Sequence, residues 1–217
     1  MKTLLASAAL VLAGLTPALA QIPSSQLPGQ SAPAAFTEPA TLNADLARLD
    51  ATLNATETFT GSFNQYNTDG STDRGTVYIA RPGKLRFEYD GPLLVVSDGV
   101  TLVQQDRVLE TTDRVPLSAT PLEFFLKNDV NLARDVEVVA FQKSPTQWRV
   151  SARDGSGQVD GVMTLVFDAT TLALQGWVID DGFGNATRVE LADLRYNAQL
   201  DPRLFVLRDD RRRDRRR

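Results

Sequence analysis

The period of the apolar residues changes twice along this chain, and each period predicts a different element. Leu42, Leu46, Leu49 and Leu53 recur at spacings of four, three and four, lining one stripe of an α-helix. Asn43, Asp45, Arg48 and Asp50 lie off the stripe, Thr37 or Thr41 can cap it, and the pattern ends near Asn54. Such a helix is amphipathic and must rest on something apolar. From Glu57 the period becomes two. Phe59, Gly61 and Phe63 share one face of a strand, and Thr58, Thr60 and Ser62 share the other. Short strands follow over 76–80, 85–89, 93–97 and 101–105, punctuated by Asp69-Gly70, Arg81-Pro82-Gly83, Asp90-Gly91-Pro92 and Asp98-Gly99. In the strand over 85–89, Leu85, Phe87 and Tyr89 alternate with Lys84, Arg86 and Glu88, so one face is apolar and the other wet.

Residues 115–128 interrupt the alternation. Pro116, Pro121 and the cluster Leu122, Phe124, Phe125 and Leu126 predict a loop leading into a short apolar helix. Strands resume over 136–141, 147–152, 162–167, 174–180, 188–196 and 204–207. About eleven short antiparallel strands with turns every 8–12 residues point to a large curled sheet or barrel, not to βαβ units. Two apolar helices among so many strands are expected to cover its open face. The class is therefore α+β, mainly β.

Both ends of the chain depart from this pattern. Residues 1–20 read as a secretory signal peptide: Lys2, an apolar run from Leu4 to Leu15, and Ala18-Leu19-Ala20 as the cleavage site. Gly14, Thr16 and Pro17 interrupt the run before it reaches the ~20 residues of a spanning helix. The expected mature chain begins at Gln21, where a lipoprotein would carry its acylated Cys, so the product is expected to be unanchored. Residues 21–37, rich in Pro, Ser, Gln and Ala, read as a flexible leader, 38–208 as one domain, and 209–217 as a disordered Arg-rich tail.

Composition removes most chemistries. The chain has no His and no Cys, which excludes Ser-His-Asp and Cys-His nucleophiles, imidazole acid–base catalysis, His or Cys metal sites and disulfides. Asp180-Asp181 and Asp209-Asp210 are adjacent carboxylates, but neighbours on a strand face opposite ways, so both pairs read as turn or solvent residues. The Gly-rich stretches 154–161 and 181–185 do not open a helix, as a phosphate-binding loop would, and suit hairpin turns. A calcium loop at Asp154–Asp160 would lack the spacing and terminal Glu of an EF-hand. Between residues 21 and 208, 16 basic side chains face 24 acidic ones, an unsuitable surface for nucleic acid. The arginines from Arg211 to Arg217 would suit anionic lipid headgroups or the acidic face of a partner.

Three segments resemble the outer-membrane lipoprotein carrier family (LolA). The stretch from Phe59 to Gln65 (FTGSFNQ) is similar to the family's Phe-x-x-x-Phe-x-Gln opening strand. The stretch from Gly75 to Tyr89 (GTVYIARPGKLRFEY) resembles its Arg-Pro-x-x-Phe-x-Trp strand pair. The stretch from Leu94 to Leu102 (LVVSDGVTL) is similar to its Val-Ser-Asp-Gly-x-x-Leu hairpin. Thr120-Pro121-Leu122 and Phe205 also sit where that pattern expects them, and the similarity spans roughly residues 42–207. Leu85 and Phe87 stand where the family often carries Phe and Trp, and the arginine tail is foreign to it.

The resemblance implies an incomplete β-barrel closed by a helical lid over an apolar cavity, with no enzymatic activity and no cofactor. It implies a periplasmic, monomeric carrier that takes acylated lipoproteins from an inner-membrane ABC transporter to an outer-membrane receptor or to outer-membrane lipid. A carrier or sensor of free lipid or glycolipid on the same fold remains the alternative. On this reading Phe59, Phe63, Leu85, Phe87 and Tyr89 line the cavity from the sheet, and Leu46, Leu49, Phe124 and Phe125 from the lid; the same residues would also serve as plain core. Arg81 matches the family's arginine that hydrogen-bonds the lid helices and holds them shut.

Overall fold

The leucine stripe does wind into a helix. The computed structural model describes residues 39–157 and 159–206 and places α1 at Pro39–Asn54, with Leu46, Leu49 and Leu53 buried. The eleven strands are β1 (Thr58–Tyr66), β2 (Thr72–Ala80), β3 (Lys84–Tyr89), β4 (Leu93–Asp98), β5 (Thr101–Asp106), β6 (Thr111–Pro116), β7 (Glu137–Lys143), β8 (Gln147–Arg153), β9 (Val162–Asp168), β10 (Leu174–Asp180) and β11 (Ala186–Tyr196). They form one sheet in the order β6-β5-β4-β3-β2-β1-β11-β10-β9-β8-β7. Every neighbouring pair is antiparallel, and β1 and β11, registered through Phe63 and Leu191, join the two halves of the chain. The sheet curls without closing: β6 and β7 are its free edges, and residues 117–136 run from one edge to the other. Among the described residues no helix is long and apolar enough to cross a membrane.

Three expectations need correction, although the strand number holds. The 111–116 segment, unrecognised in the sequence, is the edge strand β6. Its burial is low and barely alternates, because an edge strand beyond the core needs no apolar face. The strand expected over 204–207 is instead a 3-10 turn at Pro202–Phe205, with Pro202 at its start and the Asp201 carboxylate accepting from Arg203 N, 2.9 Å. The apolar cluster after Pro121 forms turns and no regular helix. Leu126 N is shared between the carbonyls of Leu122 (3.3 Å) and Glu123 (3.2 Å), and Leu122, Phe124, Phe125 and Leu126 are all buried. Apart from Glu123, whose side chain is 39% exposed, its side chains turn into the core, so this stretch acts as a plug. The regular pieces around it are a 3-10 turn at Leu117–Ala119 and a single helical turn, α2, at Leu132–Asp135.

Helix α1 is fastened along its length. The side chain of Asn54 exchanges two hydrogen bonds with the backbone of Val130, both 2.9 Å, and Leu132 N donates to Asp50 Oδ1 at 3.0 Å. Asp45, 5 % exposed, pairs with Lys143 on the edge strand β7. Lys143 and Arg48 both lie over the Trp148 ring, at 4.2 and 4.9 Å from its centroid. Asp45 and Asp50, polar flanks of the stripe in the sequence, are thus buried anchors.

Burial raises the Asp50 pKa above the ordinary carboxylate value, and Asp135 and Asp129 add to this, while the Leu132 N–H opposes it. The folded state then binds the proton more tightly than the unfolded state does. Its stabilising contribution is present below the unfolded pKa and is lost as pH rises through the folded one. Asp50→Asn keeps an oxygen for Leu132 N and removes the charge. The expected outcome is a urea midpoint at pH 7 at or above that of the wild type, the difference vanishing near pH 4. A clear loss at pH 7 would show that the ionised carboxylate is needed.

Candidate functional site

The concave face of the sheet is the candidate site. Pleating turns Phe59 and Phe63 of β1, Val77 and Ile79 of β2, and Leu85, Phe87 and Tyr89 of β3 inward, where they meet Leu165 and Phe167 of β9 and Trp177 of β10. From above, Leu46, Leu49 and Leu53 of α1 descend onto them, with Phe124, Phe125 and Leu126 beside. All nine residues singled out in the sequence meet in this one cluster; eight are buried and Tyr89 is partly so. The rings form a continuous chain, Phe63 edge-on to Phe87 (4.9 Å) and to Tyr89 (5.0 Å), Phe87 to Trp177 (6.0 Å), and Trp177 to Phe125 (5.4 Å). Sheet and lid therefore touch through aromatic faces.

Trp177 and Phe167 are central here and were not singled out from the sequence. A register shift between Leu174 and Gly176 breaks the two-residue period just before Trp177, which hides its inward direction. The usable signal was tryptophan itself, one of only two in the chain, inside a predicted strand.

Packing is incomplete at both ends of the interior. Beneath the C-terminus of α1 lies a cavity of about 240 Å³, lined chiefly by Leu53, Phe59, Ile79, Phe125, Leu174 and Leu194, with Arg81 at its border. Towards the opposite end a crevice of about 30 Å³ lies among Phe87, Tyr89, Leu93, Leu122 and Trp177, together with Gln65, Gln104 and Thr187. Both fall short of the roughly 300–1,000 Å³ usual for ligand sites of drug size, so a long chain could enter only if the lid moved. A third cavity, about 230 Å³ and more polar, lies between Ser118, Glu123 and Arg153, with Phe124 and Met163 of the core in its wall. The Lys127 ammonium at its wall lies 3.8 Å from Glu123 and 3.9 Å from Asp135, so its charge is already compensated.

Arg81 follows β2 and joins three pieces of chain. Its guanidinium donates to the carbonyls of Leu53 and Thr56 (3.0 Å) at the end of α1, and to that of Lys127 (3.4 Å) on the edge-to-edge segment. Gly83 N, two residues on, donates to Leu126 O at 2.8 Å. A planar fork with five donors suits this task, since an ammonium could not satisfy carbonyls in three directions at such spacing. Burial lowers the guanidinium pKa, and nearby Glu57 partly offsets this.

The carboxylates close turns. Asp180 accepts from Gly182 N (2.8 Å), and Asp181 from Phe183 N (2.8 Å) and Asn185 N (3.0 Å). Asp154, in the loop considered for calcium, accepts from Ser156 N and Val159 N, each at 3.0 Å. Among the described residues no three Asp, Glu, His or Cys side chains group as metal ligands. Asp209-Asp210, Gln158, the leader and the arginine tail lie outside the described residues.

The family described as "Outer membrane lipoprotein carrier protein LolA" matches residues 54–208. The outer-membrane lipoprotein carrier protein of Halorhodospira halophila is 30% identical over 163 residues, covering 69% of this chain and 74% of that one. Its counterpart in Chromobacterium violaceum is 29% identical over 171 residues, covering 74% and 82%. The crystal structure of a LolA superfamily protein from Nitrosomonas europaea aligns with a TM-score of 0.45 at 10% identity, covering 76% of this chain and 96% of that one.

Proposed function

This chain belongs to the outer-membrane lipoprotein carrier family, and from that premise we propose that it is a non-enzymatic periplasmic chaperone for lipoproteins. It takes them from an inner-membrane ABC transporter, holds their acyl chains inside the half-barrel and delivers them to an outer-membrane receptor or to outer-membrane lipid. The observation that carries this reading is the largely apolar concave face beneath a lid to which Arg81 is hydrogen-bonded. An acyl chain of about fifteen carbons gains roughly 12 kcal/mol from burial, at ~0.8 kcal/mol per methylene. Leaving a bilayer forfeits that for each chain, and only an enclosed apolar volume can offset the loss. In this role Leu46, Leu49, Phe59, Phe63, Leu85, Phe87, Tyr89, Phe124 and Phe125 exchange contacts with one another for contacts with lipid. Arg81 is the latch that closes the lid over the empty interior.

The test is release of lipoproteins from spheroplasts by the purified protein. The expected product is a soluble one-to-one complex of carrier and triacylated lipoprotein. No release, with a free lipid bound to the purified protein instead, would move the function to lipid transport or sensing. The place of the acyl chains is checked separately in Trp148→Phe, which leaves Trp177 as the sole tryptophan. Brominated fatty acids are expected to quench its emission by more than half at saturation, the unbrominated chains leaving it unquenched. Binding without quenching would place the chains outside the half-barrel.

A further inference from the structure

The interior is not apolar from end to end, and its polar groups gather at one rim. Strand register sets that rim: Tyr66 pairs with Thr72, Gly75 with Tyr89, Leu93 with Asp106 and Asp180 with Ala186, so the turns after β1, β3, β5 and β10 share one end of the half-barrel. One or two residues inside it, Gln65 of β1, Tyr89 of β3, Gln104 of β5 and Thr187 of β11 border the small crevice beside Phe87 and Trp177. At the other end the lining is chiefly apolar, with Leu53, Phe59, Ile79 and Leu174, and Arg81 at the border. The cavity wall thus passes from hydrocarbon to amide and hydroxyl along its axis.

Part of this collar is already hydrogen-bonded. The Tyr89 hydroxyl donates to Gln65 Oε1 (2.7 Å), and Gln65 Nε2 donates to Asn67 Oδ1 (2.8 Å). Asn67 Nδ2 in turn donates to Ser71 Oγ (2.9 Å) and Asp73 Oδ2 (2.7 Å). Burial and the nearby Asp73 carboxylate push the Tyr89 phenol well above its usual range, so it stays a donor. A carboxamide has two N–H groups, and the Asn67 contact uses one of Gln65. Gln104 presents a second carboxamide to the crevice from the far side of β3. The second Gln65 N–H and the Gln104 carboxamide thus border an apolar crevice, where ester carbonyls can accept from them.

Resting on the carrier reading, we propose that Gln65 and Gln104 form a subsite for the paired ester carbonyls of a diacylglyceryl group, with Tyr89 holding Gln65 in place. Two carbonyls, acceptors only, match two carboxamides. The acyl chains then extend from the collar towards the Phe59–Leu174 end, and the glyceryl carbon bearing the polypeptide leaves past the turns of the rim. Single-chain fatty acids lack this arrangement, so the collar makes the site selective for diacyl lipid.

The test compares 1,2-dioctanoylglycerol with 1,2-di-O-octylglycerol, which differ only in the two carbonyls, by displacement of an uncharged fluorescent apolar probe from the purified full chain. The wild type is expected to bind the diester about tenfold more tightly than the diether, the ratio for one net hydrogen bond. Gln65→Leu and Gln104→Leu are each expected to bring the ratio towards one without weakening the diether. If Gln65→Leu fails to fold because Tyr89 loses its acceptor, Gln104→Leu decides alone. Equal wild-type affinity for the two lipids, or a ratio unchanged in folded Gln104→Leu, would overturn the collar and leave the carrier reading standing. Binding of neither lipid, together with failure of lipoprotein release, would overturn both.

Discussion

Arg81→Leu is expected to cost about 2–4 kcal/mol of stability and to leave the lid open over the interior. The guanidinium reaches three carbonyls on two elements, and leucine fills the stem volume while removing every donor. Water can satisfy some of those carbonyls, because the site is only partly buried, which keeps the figure below that of a wholly buried charge. For a domain of this size the loss corresponds to a fall of roughly 5–15 °C in Tm. The sharper readout is uptake of an apolar dye at temperatures well below unfolding, expected to rise several-fold. Arg81→Lys keeps the charge but cannot span the three acceptors, so it should recover only part of the closure. In the carrier assay the variant should load lipoprotein and deliver it poorly, since the closed empty state no longer favours release. An Arg81→Leu protein with wild-type melting, dye uptake, loading and delivery would end the latch proposal.

Trp177→Ala is expected to be the most destabilising single change in the sheet, at about 3–5 kcal/mol. The indole is 3 % exposed and contacts Phe87 on one side and Phe125 on the other, so its removal opens a void where sheet and lid meet. A collapse of Phe125 into the gap would bring the value towards the lower end. Trp177→Phe keeps a ring between the two neighbours and should recover at least half of the loss. Chemical denaturation followed by circular dichroism reads both variants. An alanine protein losing less than 1 kcal/mol would mean that the lid does not bear on this ring.

Much of the fold is legible in the residues because local and global requirements agree there. Leu42 to Leu53 repeat at helical spacing, and Leu85, Phe87 and Tyr89 alternate as a one-sided sheet demands, so period alone fixes direction. Legibility fails where a second requirement intrudes. In β6 only Val115 packs against the core, so Thr111 to Pro116 show almost no alternation. The stretch from Leu122 to Leu126 is apolar but for Glu123 because it is a plug, and periodicity cannot tell that from a buried helix. Asp45 and Asp50 look like wet flanks because their partners, Lys143 and Leu132 N, lie more than eighty residues away. Separation along the chain hides the collar too: Gln65 and Gln104 are unremarkable strand residues until the register brings both to one rim.

The unpaired edges at β6 and β7 bear on how such a vessel could fill. A closed barrel has a girth set by strand number and shear, and swelling it means breaking a ladder. An open sheet carries no such quantisation. Its twist and coil can relax by a few degrees per strand, spread over ten interfaces, while every inter-strand bond is retained. Its elasticity is that of a leaf spring, with residues 117–136 spanning the two tips. Cargo of different girth would then be accommodated at a continuous and shallow elastic cost.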